Sequence, residues 1–170
     1  MLWPGLATFA DDVVAVRREL EAAAAAGVSA LQSPRLAKRV GPRELVTMGD
    51  ITTEADVKRV VDEFYGAIRR DELLNPIFSD VAQVDWAHHL PKMYAFWNQI
   101  VLGIIGYTGA PFPPHTKLPV RQEHFTRWVE LFHRTVDADF AGPGAKRAKD
   151  AAASIAHTFA MRLGVMEWRF

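Results

Sequence analysis

The stretch Trp86-Ala87-His88-His89-Leu90-Pro91-Lys92-Met93-Tyr94-Ala95-Phe96-Trp97 decides the fold. Trp86, His89, Leu90, Met93 and Trp97, continued by Ile100 and Val101, recur at helical spacing and make one apolar face. An imidazole, that of His89, falls within that face. His88, about 100° further round, falls on the polar side beside Asp85 and Lys92. Pro91 sits inside the pattern, which predicts either a kink or a helix that starts afresh with Pro91 in its first turn.

Helical patterns flank this stretch on both sides. Upstream, Thr53 and Asp56 form a variant of the capping box. Val57, Val60, Val61, Phe64, Tyr65 and Ile68 then follow at helical spacing, until Asn75-Pro76 breaks the chain. Downstream, Gly103 to Pro119 carries three glycines and four prolines and reads mostly as loop. Phe125, Trp128, Val129, Phe132 and Val136 make a third stripe, which ends at Gly142-Pro143-Gly144. A last helix is predicted from about Ala145 to Leu163, with Ala148, Ala152, Ile155 and Phe159 on one face and Gly164 as its cap. No period-two strand pattern interrupts these elements, so the fold is all-α.

Composition narrows the function. The chain has 170 residues, 20 basic and 20 acidic, and 49% apolar residues, enough for a packed core. Zero net charge argues against a nucleic-acid binder, which needs a basic surplus to displace counterions. Without cysteine there are no disulfides, thiolate zinc sites or iron–sulfur clusters. Metal chemistry is left to six histidines and the carboxylates. The start lacks a basic leader, and no run approaches the roughly 18 apolar residues of a membrane span. A cytoplasmic protein is expected.

The first 48 residues hold only two aromatic residues and read as an extension: an Ala-rich helix over residues 11–26, then a linker with Arg35, Lys38, Arg39 and Arg43. It is either a basic arm for an acidic partner or a weakly ordered terminus. Residues 49–170 are the functional domain. All six histidines lie in it.

Helical phase sorts those histidines. His88 and His133 fall on outer faces, which weakens a carboxylate-bridged di-iron bundle, whose Glu-x-x-His pairs must point inward. His89 falls inward, and His115 follows Pro113-Pro114 in the glycine-rich loop. Each has a plain reading, as a core histidine bonded to a carbonyl or as a surface loop residue. Tyr65 and Trp128 also face inward and bring donors that need partners when buried. An apolar helical pocket with two aromatic donors and two imidazoles is what a haem with a small iron ligand requires.

Five motifs, in order and spacing, resemble the group III truncated hemoglobins over about residues 50–163. They are Phe64-Tyr65, Leu74-Asn75-Pro76-Ile77-Phe78, His89 to Trp97, the proline-rich loop ending at His115, and Phe125-x-x-Trp128-x-x-Leu131-Phe132. The most diagnostic is His89-Leu90-Pro91-Lys92-Met93 followed by Phe96-Trp97. The chain also lacks the Gly-Gly pairs that the other truncated groups use at helix corners.

The resemblance implies a shortened globin fold, a two-over-two helical sandwich around haem b. It makes His115 the proximal iron ligand and Tyr65, His89 and Trp128 the distal, reaction-side residues. Phe64, Phe78, Met93 and Trp97 become haem contacts, and Lys92 reaches a propionate. The implied ligands are O2, NO, CO or peroxide at a five-coordinate iron. Two donors aimed at a partly charged ligand, each worth about 1.5–3 kcal/mol, slow its release by roughly two orders of magnitude. Slow release suits NO detoxification or peroxidase-like chemistry, with an unidentified reductase as partner, better than O2 storage, transport or sensing. A haem-free helical interaction module is the competing class.

Overall fold

The computed structural model describes residues 48–166; the Ala-rich helix and basic linker expected before them lie outside the described residues. Among the described residues, four α-helices carry the fold: α1 (Glu54–Ile68), α2 (Trp86–Leu102), α3 (Gln122–Asp139) and α4 (Pro143–Arg162). A π-helical turn (Ile77–Val81) lies between α1 and α2, and a 3-10 turn (Pro113–Lys117) between α2 and α3. Helix α1 packs on α2, and α3 packs on α4. The pairs meet where α1 lies on α3 and α2 on α4. This is the expected two-over-two sandwich. The only β pairing among the described residues is an isolated bridge between Gly49 and Phe140.

Each helix begins where its local chemistry allows. The Thr53 side chain accepts from the Asp56 N–H, and the Asp56 carboxylate accepts from the Thr53 N–H at 2.8 Å, so the capping box forms in full. Helix α2 runs unbroken from Trp86, with Asp85 accepting from the Ala87 and His88 N–H groups. Pro91 is its sixth residue, neither in a first turn nor at a break. The N-cap at Asp85 sets the start, and Pro91 removes only the donor that the Ala87 carbonyl would have used. Gly103, at φ +74°, ends α2 in the left-handed conformation.

Helix α4 is capped from a distance. The Asp50 carboxylate accepts from the Gly144 and Ala145 N–H groups, both at 2.8 Å, and from Ile51. A side chain at Gly144 would collide with the Ile51 carbonyl, so glycine lets the two segments meet there. The helix therefore begins at Pro143, slightly before the expected Ala145. Its last turn closes through Gly164 N–H to Met161 and Val165 N–H to Ala160, with Gly164 just beyond the cap residue Leu163.

Phe132 sits at the centre with no exposure. It stacks on Trp97 of α2 at 4.5 Å and on Trp128 at 5.7 Å, and meets Phe64 of α1 edge-on at 5.0 Å. One residue thus holds three helices. The antiparallel α1 and α2 are joined by the Tyr94 hydroxyl donating to Asp62 and by Asn98 Nδ2 donating to Glu54 at 2.9 Å. His133 departs from the sequence reading. It is half-buried, and its Nε2–H donates to the Lys149 carbonyl of α4 at 3.0 Å. Helix α3 lies between α1 and α4, so its contacts span a wider arc than one stripe. No helix among the described residues is long and apolar enough to cross a membrane.

Candidate functional site

Tyr65 and His89 face each other across the α1–α2 seam, with ring centroids 5.2 Å apart and planes nearly perpendicular. Tyr65 is buried, and its ring also meets Phe64, Phe78 and Trp86. Burial pushes its phenol well above the ordinary range, and Tyr107 adds to the shift, so the hydroxyl stays protonated and able to donate. Trp86 stacks on Phe78 at 6.1 Å and packs edge-on against His89 at 5.9 Å. Three aromatic rings and an imidazole thus make one wall.

The Nε2 of His89 is buried and has no hydrogen-bond partner. Such an orphan costs roughly 1–3 kcal/mol, which a bound group that engages the nitrogen would recover. Burial pushes the His89 pKa down, and the nearby Lys92 and His115 push it further. The ring is neutral at pH 7.

His115 lies on the 3-10 turn, half-buried, with its ring 4.9 Å from that of Phe159 on α4. Its Nδ1 is 2.8 Å from the Pro111 carbonyl oxygen. A carbonyl only accepts, so Nδ1 carries the hydrogen. Burial lowers the His115 pKa, against the opposing pull of its backbone contacts. In the resulting neutral imidazole, Nε2 has a free lone pair. Phe112 packs on Phe159 at 5.2 Å, beneath the Arg162 guanidinium at 3.8 Å.

The remaining predicted residues divide by depth. Phe64 is fully buried and bridges the two aromatic groups, touching Tyr65 on one side and Trp128, edge-on at 5.2 Å, on the other. Trp128 is half-buried and reaches Tyr65 only through Phe64 among the ring contacts. Trp97 lies deep against Phe132, while Phe78 and Met93 are partly buried against the same core. Lys92 is exposed. His88 is also exposed and bonds Asp85 through Nδ1 at 2.6 Å.

Sequence reasoning did not assign three neighbours of the site. By spacing alone, Trp86 and Phe159 are core stripe positions, which they also are in the structure. The Pro111 carbonyl carries no side-chain signal at all. Among the described residues, no three metal-binding side chains converge on one point. Two surface clefts, of about 530 and 520 Å³, lie elsewhere, beside Asp50–Glu54 with Arg147 and beside Arg121–Glu130. Neither is lined by a histidine.

A two-over-two helical sandwich that sets a neutral imidazole on one turn and an aromatic wall with a second imidazole on another helix defines a globin. Residues 48–161 match the family model of the bacterial-like globins. The chain belongs to that family, in its group III truncated hemoglobin branch. The group 3 truncated hemoglobin ctb of Campylobacter jejuni is 31% identical over 88 residues, 49% of this chain and 69% of the relative. The crystal structure of group III truncated hemoglobin from Campylobacter jejuni matches with a TM-score of 0.62 and 29% identity. That match covers 68% of this chain and 95% of the other. Globins bind haem and, through it, small diatomic ligands, and this chain shares that function.

Proposed function

We propose that the chain holds haem b with His115 as the only protein ligand to iron, so that a diatomic ligand faces Tyr65, His89 and Trp128. The carrying observation is the Nδ1–H of His115 on the Pro111 carbonyl, which leaves Nε2 as the free nitrogen. The orphaned Nε2 of His89 is a second support, because a buried polar atom without a protein partner is suited to a contact with a bound group. These residues fit the group. Phe64, Phe78, Met93 and Trp97 would give it apolar contacts, and the exposed ammonium of Lys92 would pair with a propionate.

When bound, haem supplies an iron with one position open to O2, NO, CO or peroxide. The protein does the rest. His115 is kept neutral by burial, and its anchored Nδ1–H adds basicity to Nε2. The Tyr65 hydroxyl and Trp128 indole N–H would donate to a partly negative ligand, and the neutral His89 would either add a third polar contact or gate entry. The aromatic wall excludes water and strengthens these donors. Ligand release is then slow. Slow release favours chemistry on the ligand, either NO with O2 and one electron giving nitrate, or peroxide reduction, over bulk O2 transport. A reductase partner returns the electrons.

Stopped-flow O2 release from the haem-loaded chain tests the reading. Slow release that speeds up about tenfold or more in Trp128→Phe supports it, at 1.4 kcal/mol per tenfold. Fast release unchanged by Trp128→Phe rejects it.

A further inference from the structure

Beyond the cap Gly103, the loop between α2 and the His115 turn contains two glycines in opposite surroundings. A Cβ built on Gly106 meets nothing within 4 Å. A Cβ on Gly109 would lie 2.5 Å from Cζ of the Tyr107 ring, and closer still to its hydroxyl oxygen. Tyr107 is itself held from α2. Its ring packs edge-on against Phe96 at 5.1 Å, and Gln99 Oε1 accepts from its backbone N–H at 3.2 Å and from that of Gly106 at 3.5 Å. Two residues beyond Gly109 stands Pro111, whose carbonyl accepts the His115 Nδ1–H.

These contacts tie the loop to α2 as far as Gly109, and two residues of chain lead from there to the carbonyl that holds the imidazole. We propose that Tyr107 and Gly109 are positioning residues for His115: the Tyr107 ring, fixed on Phe96 and Gln99, lies over the bare Cα of Gly109 and so sets the place of the Pro111 carbonyl. Neither residue touches the imidazole. They act through that carbonyl, which selects the tautomer and turns the ring. A side chain at Gly109 cannot enter without moving the Tyr107 ring or the backbone, because the blocking atoms belong to a rigid aromatic. Pro111 stands two residues further along the same short loop, so a shift at Gly109 is carried to it. Proline at 111 keeps the linkage stiff, since its φ is fixed. The inference deepens the proposed role of His115 and rests on it only where haem is the reporter.

The test uses the full chain with and without haem, comparing Gly109→Ala with Gly106→Ala. In the haem-free protein, long-range proton–nitrogen NMR of the His115 ring reads the tautomer directly. Gly109→Ala is expected to replace the single Nδ1–H form with a mixture, and Gly106→Ala to leave it unchanged. In the haem-loaded protein, Gly109→Ala is expected to move the iron–histidine stretching band to lower frequency, as a weaker Nδ1–H bond makes the ligand less basic. An unchanged tautomer in Gly109→Ala, or an equal change in Gly106→Ala, overturns the inference. If Gly109→Ala does not fold, Tyr107→Leu takes its place with the same readouts, and an unchanged tautomer there overturns it equally. Failure of the proximal role is separate: it shows as a His115→Gly protein whose haem spectrum does not change, whatever the tautomer does.

Discussion

The Nδ1 of His115 lies 2.8 Å from the carbonyl oxygen of Pro111, four residues earlier on the same loop. A short proline-bounded loop thus supplies both the imidazole and the group that orients it. The paired observation is His89 on α2, whose Nε2 is buried without a partner. One imidazole is anchored at the nitrogen away from the site, and the other is unsatisfied within its aromatic wall.

Tyr65→Phe is expected to speed release of a polar diatomic ligand by about tenfold or more, the loss of one hydrogen bond to a partly charged acceptor. Release of CO, which takes up little charge, should change less. Flash photolysis and stopped-flow on the loaded protein measure both, and equal effects on the two ligands would argue against a donor role.

The two buried imidazoles make stability depend on pH. Both have folded pKa values below the ordinary 6.5, from burial first. Between the folded value and 6.5 the unfolded chain binds more protons, so stability rises with pH through that window and falls as the pH drops below 6.5. Urea unfolding of the haem-free protein at pH 5 and pH 7 measures it. His115→Phe together with His89→Phe should flatten the dependence, and an unflattened slope would assign it elsewhere.

Asp50 gives a second, lower transition. Burial alone would raise its pKa, but hydrogen bonds from Gly144, Ala145 and Ile51, with the Arg147 charge, bring it below the ordinary 3.8. Its contribution is therefore present above about pH 4 and lost as the pH falls through the folded value. Asp50→Ala removes the remote cap of α4 and is expected to cost about 1–2 kcal/mol at pH 7, with Asp50→Asn costing less. Chemical denaturation of the three proteins checks the order.

Phe132→Ala is expected to destabilise by about 3–5 kcal/mol, because the ring is fully buried among Phe64, Trp97 and Trp128. The stacked tryptophans also lose their common support, so near-ultraviolet circular dichroism should weaken beyond the loss of one phenylalanine. A drop in stability below about 1 kcal/mol would place the core elsewhere.

Much of the fold was legible from particular residues. Thr53 and Asp56 announced α1 because a capping box is local chemistry. The inward Trp86, His89 and Trp97 announced α2 through spacing alone. Of the two readings of Pro91, the fresh start is overturned, since Asp85 caps the helix six residues earlier. His133 misled because phase measures one stripe, whereas α3 packs on two helices. Helical phase turned Tyr65 and His89 inward, where the structure brings their rings together, but it carries no signal for backbone partners. His115 was a candidate imidazole from its place after Pro113-Pro114, its proximal role came only from the resemblance of the motif set, and no side-chain pattern pointed to the Pro111 carbonyl.

Haem binding by His115→Gly tests the central claim most directly. Loaded and titrated with imidazole, the variant is expected to show a shifted Soret band and weakened haem retention, both restored by the added ligand. Full haem occupancy with a wild-type spectrum in the absence of imidazole would contradict the assignment of His115 as the proximal ligand.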